Sequence, residues 1–211
     1  MRIVKTLFAI IGFLVFLAAA NAAPLQKGEH YDLLSPPQPT DVAPGKIEVL
    51  EFFSYTCPHC YHLEPSINPW IKKLPKDVGF IHVPFAGGQW APSAKLFYTL
   101  DVMEVEDKLR GDVFASIHGD KSLNASNDTA IQAWAAKKGL DAKKFSDIYK
   151  SFAIQAKVQR ALQLAASHKI EGVPTIVVDG RYVVLKNTIQ SYDDLLALTD
   201  QIIDMARANK K

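Results

Sequence analysis

Apolar and polar positions follow two different periods along this chain, and the changes of period mark its elements. Ile47-Glu48-Val49-Leu50-Glu51-Phe52-Phe53 is a nearly continuous apolar run of strand length, which predicts a buried strand. Val78 to Phe85, closed by Gly87-Gly88, predicts a second, and His30 to Leu34 a short one. Thr175 to Val178 and Tyr182 to Leu185 are joined by Asp179-Gly180, which reads as a hairpin. Elsewhere the spacing becomes helical. Leu96, Phe97 and Leu100 mark one helix over 91–102, and Leu109, Val113, Phe114 and Ile117 mark another over 107–118. Asp128 is expected to cap a helix carrying Ile131, Trp134 and Ala135 and stopped by Gly139, and Asp141 one carrying Phe145, Ile148 and Tyr149. Ser151 to His168 and Tyr192 to Arg207 are the longest amphipathic stretches. A helix from Pro58 meets Pro65 and Pro69, where it is expected to kink or break, with Asn68 capping a new turn.

The order strand, helix, strand, several helices, hairpin, helix predicts an α/β fold in which one small mixed sheet accepts an all-helical insertion. The expected boundaries are 23–88 and 169–211 for the sheet domain and 89–168 for the insertion. No internal repeat interrupts that reading. Gly87-Gly88 lacks the further glycines and the lysine of a phosphate loop.

The first 22 residues stand apart from this pattern. Arg2 and Lys5 precede an apolar run from Leu7 to Ala20, and Ala20-Asn21-Ala22 is a small-x-small cleavage site, so residues 1–22 read as a cleaved secretory signal peptide. Its loss takes the basic count from 24 to 22, equal to the acidic count of 22, which argues against nucleic acid as a partner. The compartment is then an oxidising one, where disulfides persist.

Against that background the cysteines carry the chemistry. Cys57 and Cys60 are the only two, spaced as Cys57-Pro58-His59-Cys60 directly after the first buried strand. A ring this short is a poor staple, because the entropy benefit of a crosslink falls with loop length. A redox pair is the expectation. Pro58 suits the first position of a helix, which puts Cys57 at a helix N-terminus, where free N–H groups and the dipole favour a thiolate. His59, when protonated, adds positive charge beside the sulfur. Stabilising the thiolate favours the reduced state and makes the disulfide oxidising. Cys57, His59, Cys60 and His62 wind around one helix start and do not converge on a tetrahedral metal, and Tyr61 stands where haem attachment needs His. No metal or organic cofactor is expected.

Two further features bear on the thiols. Gly172-Val173-Pro174-Thr175 places a proline at a strand start, where it is tolerated without loss of a ladder bond. Its functional reading is a cis Val173–Pro174 bond that offers the Val173 backbone to an extended substrate. Glu51 lies in the apolar strand six residues before Cys57. It reads as a buried acid beneath the pair that relays the Cys60 proton, with Glu48 as its solvent-facing neighbour.

The run from Glu51 to Cys60 resembles the active-site strand and turn of the DsbA family of periplasmic disulfide oxidases, and Gly172 to Thr175 resembles that family's cis-proline loop. The resemblance extends over nearly all of the chain after the leader. It implies a thioredoxin fold, donation of a Cys57–Cys60 disulfide to unfolded exported proteins by a monomer in the periplasm, and reoxidation by a quinone-linked membrane protein of the DsbB type. One departure stands out: well-known members carry a lysine two residues before the histidine of the second strand, and here Phe80 precedes His82. The resemblance therefore implies a relay without its usual cation. A disulfide isomerase or reductase, and a metal-binding or chaperone module with incidental thiols, are the alternatives. The first is disfavoured by the short stretch ahead of Cys57, which leaves no room for a dimerisation domain.

Overall fold

The computed structural model describes residues 24–210, so the leader assigned to 1–22 lies outside the described residues. Five strands form one mixed sheet: β1 (Tyr31–Leu33), β2 (Ile47–Phe53), β3 (Val78–Pro84), β4 (Thr175–Val178) and β5 (Tyr182–Val184), in the order β1-β5-β4-β2-β3. Only β2 and β3 run parallel. Every residue of β2 is buried, because β3 and β4 flank it and helices cover both of its faces. That is the physical meaning of its unbroken apolar run. Glu48 is part of it: at 2% exposed it is not the solvent-facing residue its charge suggested. Its Oε2 accepts a hydrogen bond from the Asp41 backbone N–H at 2.6 Å, and burial raises its pKa.

The helix after β2, α1 (Pro58–Ile71), runs unbroken through Pro65 and Pro69. Leu63 and Ile67 are fully buried on its inner side, and packing of this face holds the helix where local propensity would end it. Asn68 caps nothing. Its side-chain amide donates to Glu64 Oε2, one turn earlier, at 2.8 Å.

The insertion contains α2 (Ala91–Val102), α3 (Glu106–Phe114), α4 (Asp128–Lys137), α5 (Ala142–Tyr149) and α6 (Phe152–Ser167); α7 (Tyr192–Asn209) closes the fold. The helix expected over 107–118 ends at Phe114 and widens into a π turn over Ala115–Gly119. Asn127, one residue earlier than expected, caps α4 by accepting from the Ala130 N–H at 2.8 Å, and Asp141 caps α5 as its position predicts. The hairpin turn has φ of +53° at Asp179 and +59° at Gly180 and is closed by the Arg181 N–H on the Val178 carbonyl at 3.1 Å; Val178 pairs with Tyr182, so three residues make the loop. Among the described residues no helix is long and apolar enough to cross a membrane.

Burial divides into three regions around β2. One, with Ile47, Val49, Leu63, Ile67, Ile176 and Ile202, joins α1 and α7 to the sheet. A second, with Leu50, Phe52, Val83, Ile154 and Val158, packs α6 on the opposite face. The third lies in the insertion and includes Leu96, Phe97, Val113, Phe114, Trp134 and Phe145, together with Phe53, Tyr55 and Cys60. The buried cysteine is thus sealed by the helical insertion as well as by the sheet domain.

Candidate active site

Cys57 occupies the N-cap of α1 in an extended conformation, with Pro58 at the first helical position. No side chain caps this end, so its free N–H groups face the sulfur region. The Cys57 thiol is lowered to about 6, first by the hydrogen bond from Cys60. The backbone N–H groups of Cys60 and His59 and the His59 charge add to this against a partial burial penalty. Cys60 is the opposite case, only 1% exposed, and its pKa is pushed far up. Burial is the main cause, followed by the hydrogen bond it gives Cys57 and the negative charges of Glu51 and Cys57. Four residues of one helix therefore hold an ionisable, accessible sulfur and one held neutral.

Across from them, the Val173–Pro174 bond is cis, and Cys57 Sγ donates to the Val173 carbonyl at 3.4 Å. The expected ledge and the expected nucleophile thus meet although 116 residues separate them. Lys186, which sequence reasoning passed over, donates from Nζ to the Pro174 carbonyl. Burial lowers its pKa, and the negative charges of Cys60 and Cys57 partly restore it.

Beneath Cys60, Glu51 is fully buried. Its Oε2 is 2.6 Å from His82 Nδ1, its partner in β3 by strand register, and its Oε1 has no hydrogen-bond partner. Burial pushes the Glu51 pKa up, but the hydrogen bond and charge of His82 and the charge of Arg110 outweigh it, and the net direction is down. The cation missing at Phe80 is therefore present, supplied from the insertion. Arg110 of α3 is 3% exposed and places Nη2 3.6 Å from Glu51 Oε2 and 2.7 Å from Glu64 Oε1. Its Nε donates to Glu64 at 2.9 and 3.0 Å and its Nη1 to Glu106 at 3.2 Å. Its guanidinium carbon lies 4.3 Å from the centre of the Phe53 ring. Glu106 in turn accepts from Tyr55 Oη at 2.5 Å, and the Tyr55 pKa is raised well above its usual value, mainly by burial. Phe80 stacks edge-on against His82 at 4.8 Å between ring centres.

Arg110 was the residue missed. A signal existed: it sits beside Leu109 and three and four residues before Val113 and Phe114, on a face otherwise apolar, one turn after Glu106. Nothing in the spacing shows that this face meets Glu51, because that contact joins residues of two separate regions of the chain.

Comparison with known proteins agrees with this geometry. The family model described as a DSBA-like thioredoxin domain matches residues 48–198. A thiol:disulfide interchange protein DsbA of Pseudomonas syringae pv. tomato is 40% identical over 206 residues, covering 96% of this chain and 95% of the relative. One of Burkholderia cepacia is 35% identical, with 96% and 94% covered. The crystal structure of Pseudomonas aeruginosa DsbA superposes with a TM-score of 0.81 at 40% identity, covering 87% of this chain and 96% of that one. Fold, cysteine geometry and relatives agree, and the chain belongs to the DsbA family of thioredoxin-fold thiol:disulfide oxidoreductases.

Proposed function

We propose that this protein is a periplasmic oxidase that donates a Cys57–Cys60 disulfide to newly exported proteins, is reoxidised by a quinone-linked membrane protein of the DsbB type, and works as a monomer without a metal or organic cofactor. In this reading residues 1–22 are removed on export, and 89–168 form an insertion within a sheet domain of 23–88 and 169–211. One observation carries the direction of transfer: Cys57 is lowered to about 6 while Cys60 is pushed up. Cys57 is then predominantly thiolate at neutral pH, which favours the reduced state and makes Cys57 a good leaving group.

The steps follow from that asymmetry. A client thiolate attacks Cys57 Sγ, the Cys57–Cys60 bond breaks, and Cys60 leaves as a thiolate that takes up one proton. A second client thiolate attacks the client sulfur of the mixed disulfide, and Cys57 leaves as a stable thiolate. The client loses two electrons and gains a disulfide, and the protein holds those electrons as one thiol and one thiolate. Recharging runs in the other sense: Cys57 attacks the partner's disulfide and one partner sulfur leaves as a thiolate, then Cys60 gives its proton to Glu51, attacks Cys57 Sγ and expels the second partner thiolate. The Val173 carbonyl, beside Cys57, offers an acceptor to the backbone of an extended client, and Pro58 and His59 fix and polarise the helix end.

The test is a redox equilibrium with glutathione on the wild type and on His59→Ala. The expected result is a potential well above that of a thioredoxin, lowered by the substitution. A thioredoxin-like wild-type potential would refute the oxidase reading.

A further inference from the structure

Cys60 must exchange a proton in every cycle, yet it and Glu51 are sealed from solvent, and a client seated on Cys57 and Val173 covers the only thiol that reaches the surface. His82 offers a separate way out. Its Nδ1 holds Glu51 Oε2, and its side chain keeps 16% of its surface exposed. Its Nε2 makes no hydrogen bond within the protein and is not shut off from solvent. The ring lines a cavity of about 570 Å³ that none of Cys57, Cys60, Val173 or Pro174 borders. Sheet order explains the separation: β3, with His82, and β4, which follows Val173-Pro174, flank β2 on opposite sides, and Glu51 is in register with His82 on one and Ile176 on the other.

The geometry points to His82 as the residue through which Glu51 exchanges the Cys60 proton with solvent, by way of this cavity, while a client occupies the other side of β2. The inference rests on Glu51 acting as the relay. In ring closure the Cys60 thiol gives its proton to Glu51, and the His82 imidazolium, its Nδ1–H still donated to Glu51 Oε2, releases its Nε2 proton to the cavity. One proton reaches the cavity, Glu51 holds the one from Cys60, and the ring ends neutral. When Cys60 next leaves as a thiolate it takes the Glu51 proton back, and Nε2 takes one from the cavity.

The charges facing the ring suit this role. The hydrogen bond and charge of His82, with Arg110 behind, outweigh burial and hold Glu51 as a carboxylate, the state that accepts a proton. On the cavity walls Asp101, Glu106 and Asp107 come from the α2–α3 side, with Glu104 between those helices, against Lys157 and Arg160 of α6 and the nearby Asp41. Acids outnumber bases, so small cations such as imidazolium are drawn in and anions are not.

His82 acts through Glu51 and touches no reacting sulfur, so its test must separate proton passage from packing. The mature protein would be joined at Cys57 to a client peptide by a mixed disulfide, and ring closure by Cys60 followed in a stopped flow across pH 5–8. His82→Ala should close slower by on the order of 10²-fold, in the range of lost acid–base assistance. His82→Gln, which keeps a hydrogen bond to Glu51 but passes no proton, should be comparably slow at unchanged melting temperature. Added imidazole should restore most of the rate to His82→Ala and none to His82→Ala combined with Glu51→Gln. Wild-type closure in His82→Gln, or absence of imidazole rescue in folded His82→Ala, overturns the route. Wild-type closure in Glu51→Gln alone would instead overturn the relay reading on which it rests.

Discussion

Replacing Arg110 by methionine removes one buried charge while keeping the length of the side chain, and the contacts around it set the size of the effect. Three carboxylates converge on this guanidinium: Glu64 at 2.7 Å, Glu106 at 3.2 Å and Glu51 at 3.6 Å. Removing one partner of a buried ion cluster costs about 3–5 kcal/mol, because the remaining charges stay buried without compensation. A domain of this size loses about 2–4 °C of melting temperature per kcal/mol, so a fall of about 6–20 °C is expected at pH 7. The pH dependence identifies the cause. In the wild type the Glu51 pKa is lowered, so its contribution is present above the unfolded carboxylate value and is lost as pH falls through the folded one. Without Arg110 the hydrogen bond and charge of His82 alone oppose the burial penalty, so the folded pKa of Glu51 rises and the stability it contributes at neutral pH is smaller. Thermal unfolding of both proteins from pH 4 to 8, in one fixed redox state, should show the gap narrowing toward pH 4. Arg110→Lys should recover only part of it, because a point charge cannot span the three carboxylates as the forked guanidinium does. A gap below about 1 kcal/mol, small against the 3–5 of a broken cluster, or one constant across that pH range, would refute the assignment of Arg110 as the cluster's compensating cation.

Three other expectations follow from named groups. Titration of the reduced protein by thiolate absorbance should give a midpoint near the value of about 6 for Cys57, and His59→Ala should raise it. Because that pKa is depressed on folding, the extra stability of the reduced form should be full above the ordinary thiol range and fade as pH falls through about 6, which calorimetry of the reduced and oxidised forms would show. His168 is buried against Phe52 with Nε2 unpaired, and burial lowers its pKa. Its contribution is present above the unfolded histidine range and is lost as pH falls below it, so His168→Gln should flatten that part of the stability curve in denaturant titrations. Gly180→Ala would put a Cβ 2.2 Å from the Gln38 carbonyl oxygen at a φ of +59°, and denaturant unfolding should show a loss of about 1–3 kcal/mol or more.

Much of the site was legible in the sequence, because its parts are local. Pro58 after Cys57 announces a helix start, and a helix start carries its electrostatics wherever it occurs, so the sulfur that ionises could be named from four residues. The cis-proline loop was legible through resemblance, and Glu51 through the cost of placing an acid in an apolar strand. The errors share a different origin. Glu48 looked solvent-facing because alternation assumes one wet face, and β2 has none. Pro65 and Pro69 looked like breaks because propensity carries no term for the packing of Leu63 and Ile67.

By itself, the sequence determined the element order, the fold class and the chemical identity of the reacting pair, since these depend on periodicity and on neighbours along the chain. Tertiary structure alone decided what stands beneath Cys60. The cation beside Glu51 is Arg110, 59 residues beyond it in the sequence and 3.6 Å from it in space. The strand order decided that His82 and Val173 lie on opposite sides of β2. Charges act through distance and burial, and neither is encoded in the spacing of residues along the chain.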